Sequence, residues 1–158
     1  MNEKSKIVIG IISDTHGTLS KHAIDALKGA DFILNAGDSE KIEIIERLSD
    51  IAPVTSVRGN MDYQKWAESI NKTETITIGE KTFHILHNLN DLELDPEIEG
   101  IDVIISGHTH CPEIHEKNNV FYLNPGSASK KRYHYPHSVA KIVIGNKSTI
   151  EIIPIDDP

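Results

Sequence analysis

This sequence predicts an α/β fold with two packed β-sheets flanked by helices. Three observations carry that prediction. Residues 6–62 alternate short β-branched runs with amphipathic stretches, as in a βαβαβ unit. The residues beyond switch mostly to paired apolar runs separated by tight-turn residues, as in hairpins. Five of the apolar runs stop abruptly at clusters of Asp, His, Asn and Gly.

Residues 6–12 (KIVIGII) read as a buried strand, being β-branched and almost wholly apolar. Residues 20–28 place Ala23, Ile24 and Leu27 at helical spacing, with Gly29 as the stop. Residues 31–36 (DFILNA) form the second strand. Residues 39–48 form a second helix, with Ile42, Ile45 and Leu48 along one face and Ser39 as its cap. Residues 53–57 are the third strand. Residues 72–78 and 81–86 pair across Gly79-Glu80. Residues 91–99 read as a short helix and 101–105 as another apolar strand. Two hairpins complete the chain. Residues 113–117 and 120–123 meet at Asn118-Asn119, and residues 138–144 and 148–153 meet at Gly145-Asn146-Lys147.

The length of 158 residues suits a single domain, residues 1–158, with one substantial core. Hydrophobic residues at 38% and charged residues at 25% are ordinary globular values, which argues against long disorder. A formal net charge of -8 argues against binding to duplex nucleic acid, which needs a positive surface. Cys111 is the one cysteine, so no intrachain disulfide forms, in keeping with a reducing compartment. The run 7–12 is too short to span a membrane, and no small-residue cleavage site follows it. These points predict a cytoplasmic protein.

The polar clusters at the strand ends are Asp14 and His16, Asp38, Asn60, His87, and His108 and His110. In open α/β sheets, ligands bind at the carboxyl ends of strands, where neighbouring loops converge. Carboxylates brought together without compensation repel and lose hydration, a cost that divalent cations remove. The donors are oxygen and imidazole without thiolate, which suits manganese, nickel, iron, cobalt or zinc. Seven candidate ligands exceed a closed tetrahedral site and match two metal ions that keep positions open for water and substrate. A two-metal centre polarises phosphoryl oxygens and activates water, so a phosphate ester is the natural substrate.

The blocks Asp14-Thr15-His16, Gly37-Asp38, Gly59-Asn60, His87 and Gly107-His108-Thr109-His110, in that order, resemble those of the calcineurin-like metallophosphoesterases. They resemble in particular the small single-domain bacterial and archaeal phosphodiesterase branch of that family. The resemblance covers nearly the whole chain and implies a four-layer α-β-β-α sandwich. It implies that Asp14, His16 and His110 hold one metal, that Asn60, His87 and His108 hold the other, and that Asp38 bridges them. Diester cleavage is favoured over monoester cleavage on the same ground. Members often self-associate, so the resemblance is compatible with a homo-oligomer and leaves the oligomeric state open. Many members carry a His after the Asn that protonates the leaving group, and this chain has Met61 there. The eukaryotic retromer's small subunit shares the fold and serves mainly as a protein-binding scaffold, so a non-catalytic interaction module is the alternative.

Other residues divide more evenly. Arg58 either contacts phosphate through its guanidinium fork or pairs with an acid at the rim. Asp62 is a candidate substrate contact beside Met61. Ser127, in the turn Asn124-Pro125-Gly126-Ser127, is either a substrate contact or part of a plain turn. Lys130-Lys131-Arg132 reads as a solvated loop, or as a local source of positive potential. Tyr63 and Trp66 are read as packing residues, and Cys111 as a buried thiol. His22, His84, His115, His134 and His137 fit no block and are read as surface or structural.

Overall fold

The apolar run after Lys6 folds as β1 (Ile7–Ile12), which pairs in parallel with β2 (Phe32–Asn35). That strand pairs in parallel with β3 (Val54–Ser56). Two crossovers, α1 (Lys21–Leu27) and α2 (Ile42–Ser49), connect the three strands. On the other side of β1 lie β9 (Ser138–Ile144) and β10 (Thr149–Pro154), both antiparallel to their neighbours. The order of this first sheet is β10-β9-β1-β2-β3. The computed structural model describes residues 5–130, 132 and 134–155.

The second sheet comprises β4 (Thr73–Ile78), β5 (Lys81–Leu86), β6 (Val103–Ile105), β7 (Glu113–Lys117) and β8 (Val120–Asn124), in the order β4-β5-β6-β8-β7. The hairpins expected here are present as β4-β5 and β7-β8. Its centre, however, is the parallel run β5-β6-β8. Those strands are apolar over most of their length because both faces are covered, the composition of a parallel sheet.

Ile9, Ile11 and Leu34 of the first sheet meet Phe83, Ile85 and Ile105 of the second, closing the central core. A side chain such as Phe83, fully buried, contributes roughly 1.5–3 kcal/mol by leaving water. Ala23 and Leu27 of α1 and Ile44 and Leu48 of α2 cover the outer face of the first sheet. Gly10 lets α1 approach, since a Cβ there would lie 2.7 Å from Leu27 Cδ2. Leu89, Leu92 and Leu94 cover Leu86, Ile104 and Tyr122 on the far side. The four layers are thus helix, sheet, sheet, and a thin layer of short turns. No helix among the described residues is long and apolar enough to cross a membrane.

Three local expectations need correction. α2 starts at Ile42, and Ser39 does not cap it, because the Ser39 hydroxyl accepts from the Asn35 side-chain amide at 2.8 Å. Its buried face is Ile44 and Leu48, with Ile42 and Ile45 half-buried. Residues 91–99 are not one helix but a 3₁₀ turn, Leu89–Asp91, and a single-turn α3, Pro96–Glu99. Pro96 lacks an N–H and disfavours helical backbone at Asp95, so the helix restarts there with the Asp95 carboxylate as its cap. A further 3₁₀ helix, Lys65–Ser69, had no periodic signal. The expected turn at Asn118-Asn119 carries φ of 52° and 64°, the left-handed pair that a two-residue hairpin turn requires.

Candidate metal centre

Loops leaving β1, β2, β5 and β6 are stitched together by backbone hydrogen bonds. Asp14 N–H donates to Gly37 O, and His16 N–H to Asp38 O, each at 2.9 Å. Gly107 N–H donates to His87 O at 2.9 Å. The loops adopt tight left-handed turns, with positive φ at Asp14 (54°), His16 (47°), Asp38 (57°), Glu40 (65°), His108 (71°) and His110 (63°). Such conformations in non-glycine residues cluster where a surrounding structure holds a site in shape. Close approach also needs Gly59 and Gly107. A Cβ on Gly59 would collide with Asp38 Oδ1, and one on Gly107 with Ser13 Oγ and Asp14 Oδ2.

The convergence is tight. Asp14 Oδ1 lies 3.3 Å from His110 Nε2, 3.7 Å from His16 Nε2 and 3.8 Å from His87 Nε2. His16 and His110 bring their Nε2 atoms to 3.2 Å. Asp38 Oδ2 lies 3.2 Å from His87 Nε2 and 3.9 Å from His16 Nε2, so it faces both halves. Two groups of potential ligand atoms emerge, Asp14, His16 and His110, and Asp14, Asp38 and His87. Asp14 is therefore common to both groups. Asn60 Oδ1 and His108 Nδ1 pair at 3.2 Å, and the His108 ring stands edge-on to His87. Both line the cleft outside.

Each inward atom is aimed by a bond behind it. Asp14 Oδ2 accepts from Ser13 Oγ and from His108 N–H, which leaves Oδ1 pointing in. Asp38 Oδ1 accepts from Met61 N–H, which leaves Oδ2. His87 Nδ1 donates to Ala36 O at 2.7 Å, and His16 Nδ1 to Glu40 Oε2 at 2.6 Å. A ring that donates from Nδ1 presents Nε2 as a lone pair. Asp14 Oδ1 and His87 Nε2 are buried and have no hydrogen-bond partner. Unpaired buried acceptors cost about 1–3 kcal/mol each, and a cation would remove that cost. The donor set and these orphaned atoms fit divalent metal ions.

Glu40 had no signal in the sequence, being one acid among many. With Glu40→Gln, the chain should still fold, but its affinity for Mn²⁺ should fall about 10- to 100-fold, the usual effect of losing such a partner. Competition against a chromophoric chelator measures it, and an unchanged affinity would remove Glu40 from this role.

The charges balance one another. Burial pushes Asp14 up, but the close imidazoles of His110 and His16, the charge of His87 and the Ser13 hydroxyl hold it well below the usual carboxylate range. His16 is raised by the neighbouring Asp14 carboxylate, against burial and with help from Glu40. His87 is lowered by burial, yet Asp38 and Asp14 raise it above its ordinary value overall. A histidine raised in the folded state stabilises fully below its unfolded value of about 6.5 and loses that contribution as pH climbs through the folded value. Asp14 acts in the opposite sense, stabilising above about pH 4 and losing its contribution in acid. Chelated protein should therefore melt at lower temperature as pH rises above about 6.5. The gain in Tm on adding Mn²⁺ should grow over the same range, because metal and proton compete for the same nitrogens. Melting curves from about pH 6 to 8.5, with and without Mn²⁺, check both slopes.

The other candidates have varied positions. Arg58 is half-buried and lines the cleft beside Asn60. Asp62 is 4% exposed, and its carboxylate accepts from the N–H groups of Asp38 (2.9 Å), Gly59 (2.9 Å) and Glu40 (2.7 Å). Ser127 is buried, and its hydroxyl donates to Asp14 O at 2.7 Å while accepting from Lys130 N–H. Both side chains therefore turn inward, where they brace the ligand loops. Tyr63 is exposed and Trp66 half-buried. Cys111 is half-buried, with its thiol donating to Thr109 O. His22, His115 and His134 are exposed, whereas His84 and His137 are buried. Lys130 and Arg132 are exposed, and Lys131 lies outside the described residues.

Residues 7–147 match the model of the calcineurin-like phosphoesterase superfamily domain. A probable metallophosphoesterase of Methanocaldococcus jannaschii is 35% identical over 160 residues, covering 96% of this chain and 83% of that protein. The phosphodiesterase YfcE of Escherichia coli is 25% identical over 169 residues, covering 92% and 90%. Among solved structures, Vacuolar Protein Sorting 29 from Cryptosporidium parvum superposes with a TM-score of 0.75 at 20% identity, covering 99% of this chain and 100% of that one. At that identity the likeness speaks for the fold alone.

Proposed function

The chain belongs to the calcineurin-like phosphoesterase superfamily, and from that premise we propose that it hydrolyses phosphodiesters at a centre of two divalent metal ions. Asp14, His16 and His110 would hold one ion and Asn60, His87 and His108 the other, with Asp38 between them. When bound, such ions supply Lewis acidity toward phosphoryl oxygens and lower the pKa of water. The observation that carries the reading is the buried pair Asp14 Oδ1 and His87 Nε2, aimed into one cluster without partners. The oxygen and imidazole donors favour manganese, nickel, iron, cobalt or zinc.

The chain's own residues do the rest. Arg58, at the edge of the cleft, orients the phosphate through its guanidinium. Asp62 and Ser127 hold the ligand loops in register from beneath. Met61 has no proton to give, so the leaving oxygen takes its proton from solvent. Esters with good leaving groups, such as p-nitrophenol, are then cleaved faster than alkyl esters.

Bis(p-nitrophenyl) phosphate and p-nitrophenyl phosphate, assayed with Mn²⁺ or Ni²⁺ before and after chelation, test this function. Faster turnover of the diester, lost on chelation and restored by metal, is the expected result. Metal binding without turnover on either ester would favour the second reading, a non-catalytic scaffold, which the absence of an acid at Met61 supports.

A further inference from the structure

We infer that the cleft beside Asn60, His87 and His108 is a subsite for the organic substituent of the phosphodiester, a neutral and partly apolar group of nucleoside size. The inference rests on the phosphodiesterase reading above. The cleft has a volume of ≈ 870 Å³ and continues from those residues to the outer side chains of the second sheet. That volume lies in the upper part of the small-ligand range, about 300–1,000 Å³, and far exceeds what a phosphate needs.

Its lining changes character along its length. Arg58 and Lys72 bring two cations to a chain of net charge -8. Arg58 Nε is buried and has no hydrogen-bond partner. These groups suit the phosphate. Leu86, Leu92 and Leu94 supply an apolar wall, the usual lining of a site for an organic ligand. His84 also lines the cleft, at 5% exposure, with Nδ1 bonded to the Thr75 hydroxyl at 2.8 Å. Burial holds His84 below its ordinary pKa, which disfavours a charged ring at this wall of the cleft. Asn88 and Asn90 add amide donors and acceptors. Asp91 and Glu93, on the same segment as Leu92, repel a second anionic group and so select a neutral substituent over a polyphosphate.

Two p-nitrophenyl diesters with the same leaving group test the subsite, one carrying thymidine through its 5′ oxygen and the other methyl. With Mn²⁺-loaded protein, kcat/KM should favour the thymidine ester by about tenfold or more. Leu92→Glu should bring that ratio close to one, and His84→Gln should lower it if Leu92→Glu fails to fold by circular dichroism. A wild-type ratio near one, or a ratio that survives in folded variants, overturns the inference. Calorimetry with thymidine 5′-monophosphate supplies a readout independent of turnover. Binding by the wild type that is lost in the folded variant, without hydrolysis of either ester, would keep the subsite and remove the catalytic reading. Absence of binding with and without Mn²⁺ overturns the subsite.

Discussion

Asp38→Ala is expected to reduce diester hydrolysis by about a thousandfold or more, with bound metal falling in parallel. Loss of one preorganised electrostatic group commonly costs about 10²–10³ in rate, and Asp38 has two tasks. Its Oδ2 faces His87 and His16, and its Oδ1 receives Met61 N–H from the loop that carries Asn60. Asp38→Asn keeps an acceptor for Met61 but removes the negative charge, so it separates the two tasks. Initial rates and elemental analysis of each variant check the expectation. Wild-type rate and metal content in Asp38→Ala would exclude the assigned role.

Asp62→Ala is expected to destabilise the protein by about 3 kcal/mol or more, although Asp62 touches none of the candidate ligand side chains. The substitution strands the N–H groups of Asp38, Gly59 and Glu40. Each buried donor left unsatisfied costs about 1–3 kcal/mol. For a chain of this length the loss corresponds to a fall in Tm of about 10 °C. Metal affinity should fall as well, because the same three N–H groups set the backbone around Asp38 and His16's partner Glu40. Thermal melting and a metal titration measure both. A Tm within a degree or two of wild type would show that water replaces the carboxylate.

Much of the site was legible because its residues follow directly on strands. A buried run such as residues 7–12 must stop at the sheet edge, so the polar cluster after it sits at that edge. Parallel neighbours stop at the same edge, which gathers Asp14, Asp38, His87 and His110. What was hidden depends on how loops cross. Glu40 reaches His16 only because the loop at 37–40 turns left-handed and is bonded to the loop at 14–17. Asp62 was noticed for its place near Asn60, but no linear pattern tells whether its carboxylate faces substrate or backbone. Ser127 has the same ambiguity, and its bond to Asp14 O spans 113 residues. His84, a lone histidine in a strand, carries no motif, so its position at the cleft wall is visible only in the fold. In the fold, the parallel centre of the second sheet was obscured by the hairpins on either side of it.

The most direct test is a crystal grown with Mn²⁺ and measured at the manganese absorption edge. Two anomalous peaks are predicted. One should be held by Asp14, His16 and His110, the other by Asn60, His87 and His108, with the Asp38 carboxylate between them. A single peak, or none at saturating Mn²⁺, would contradict the two-metal centre.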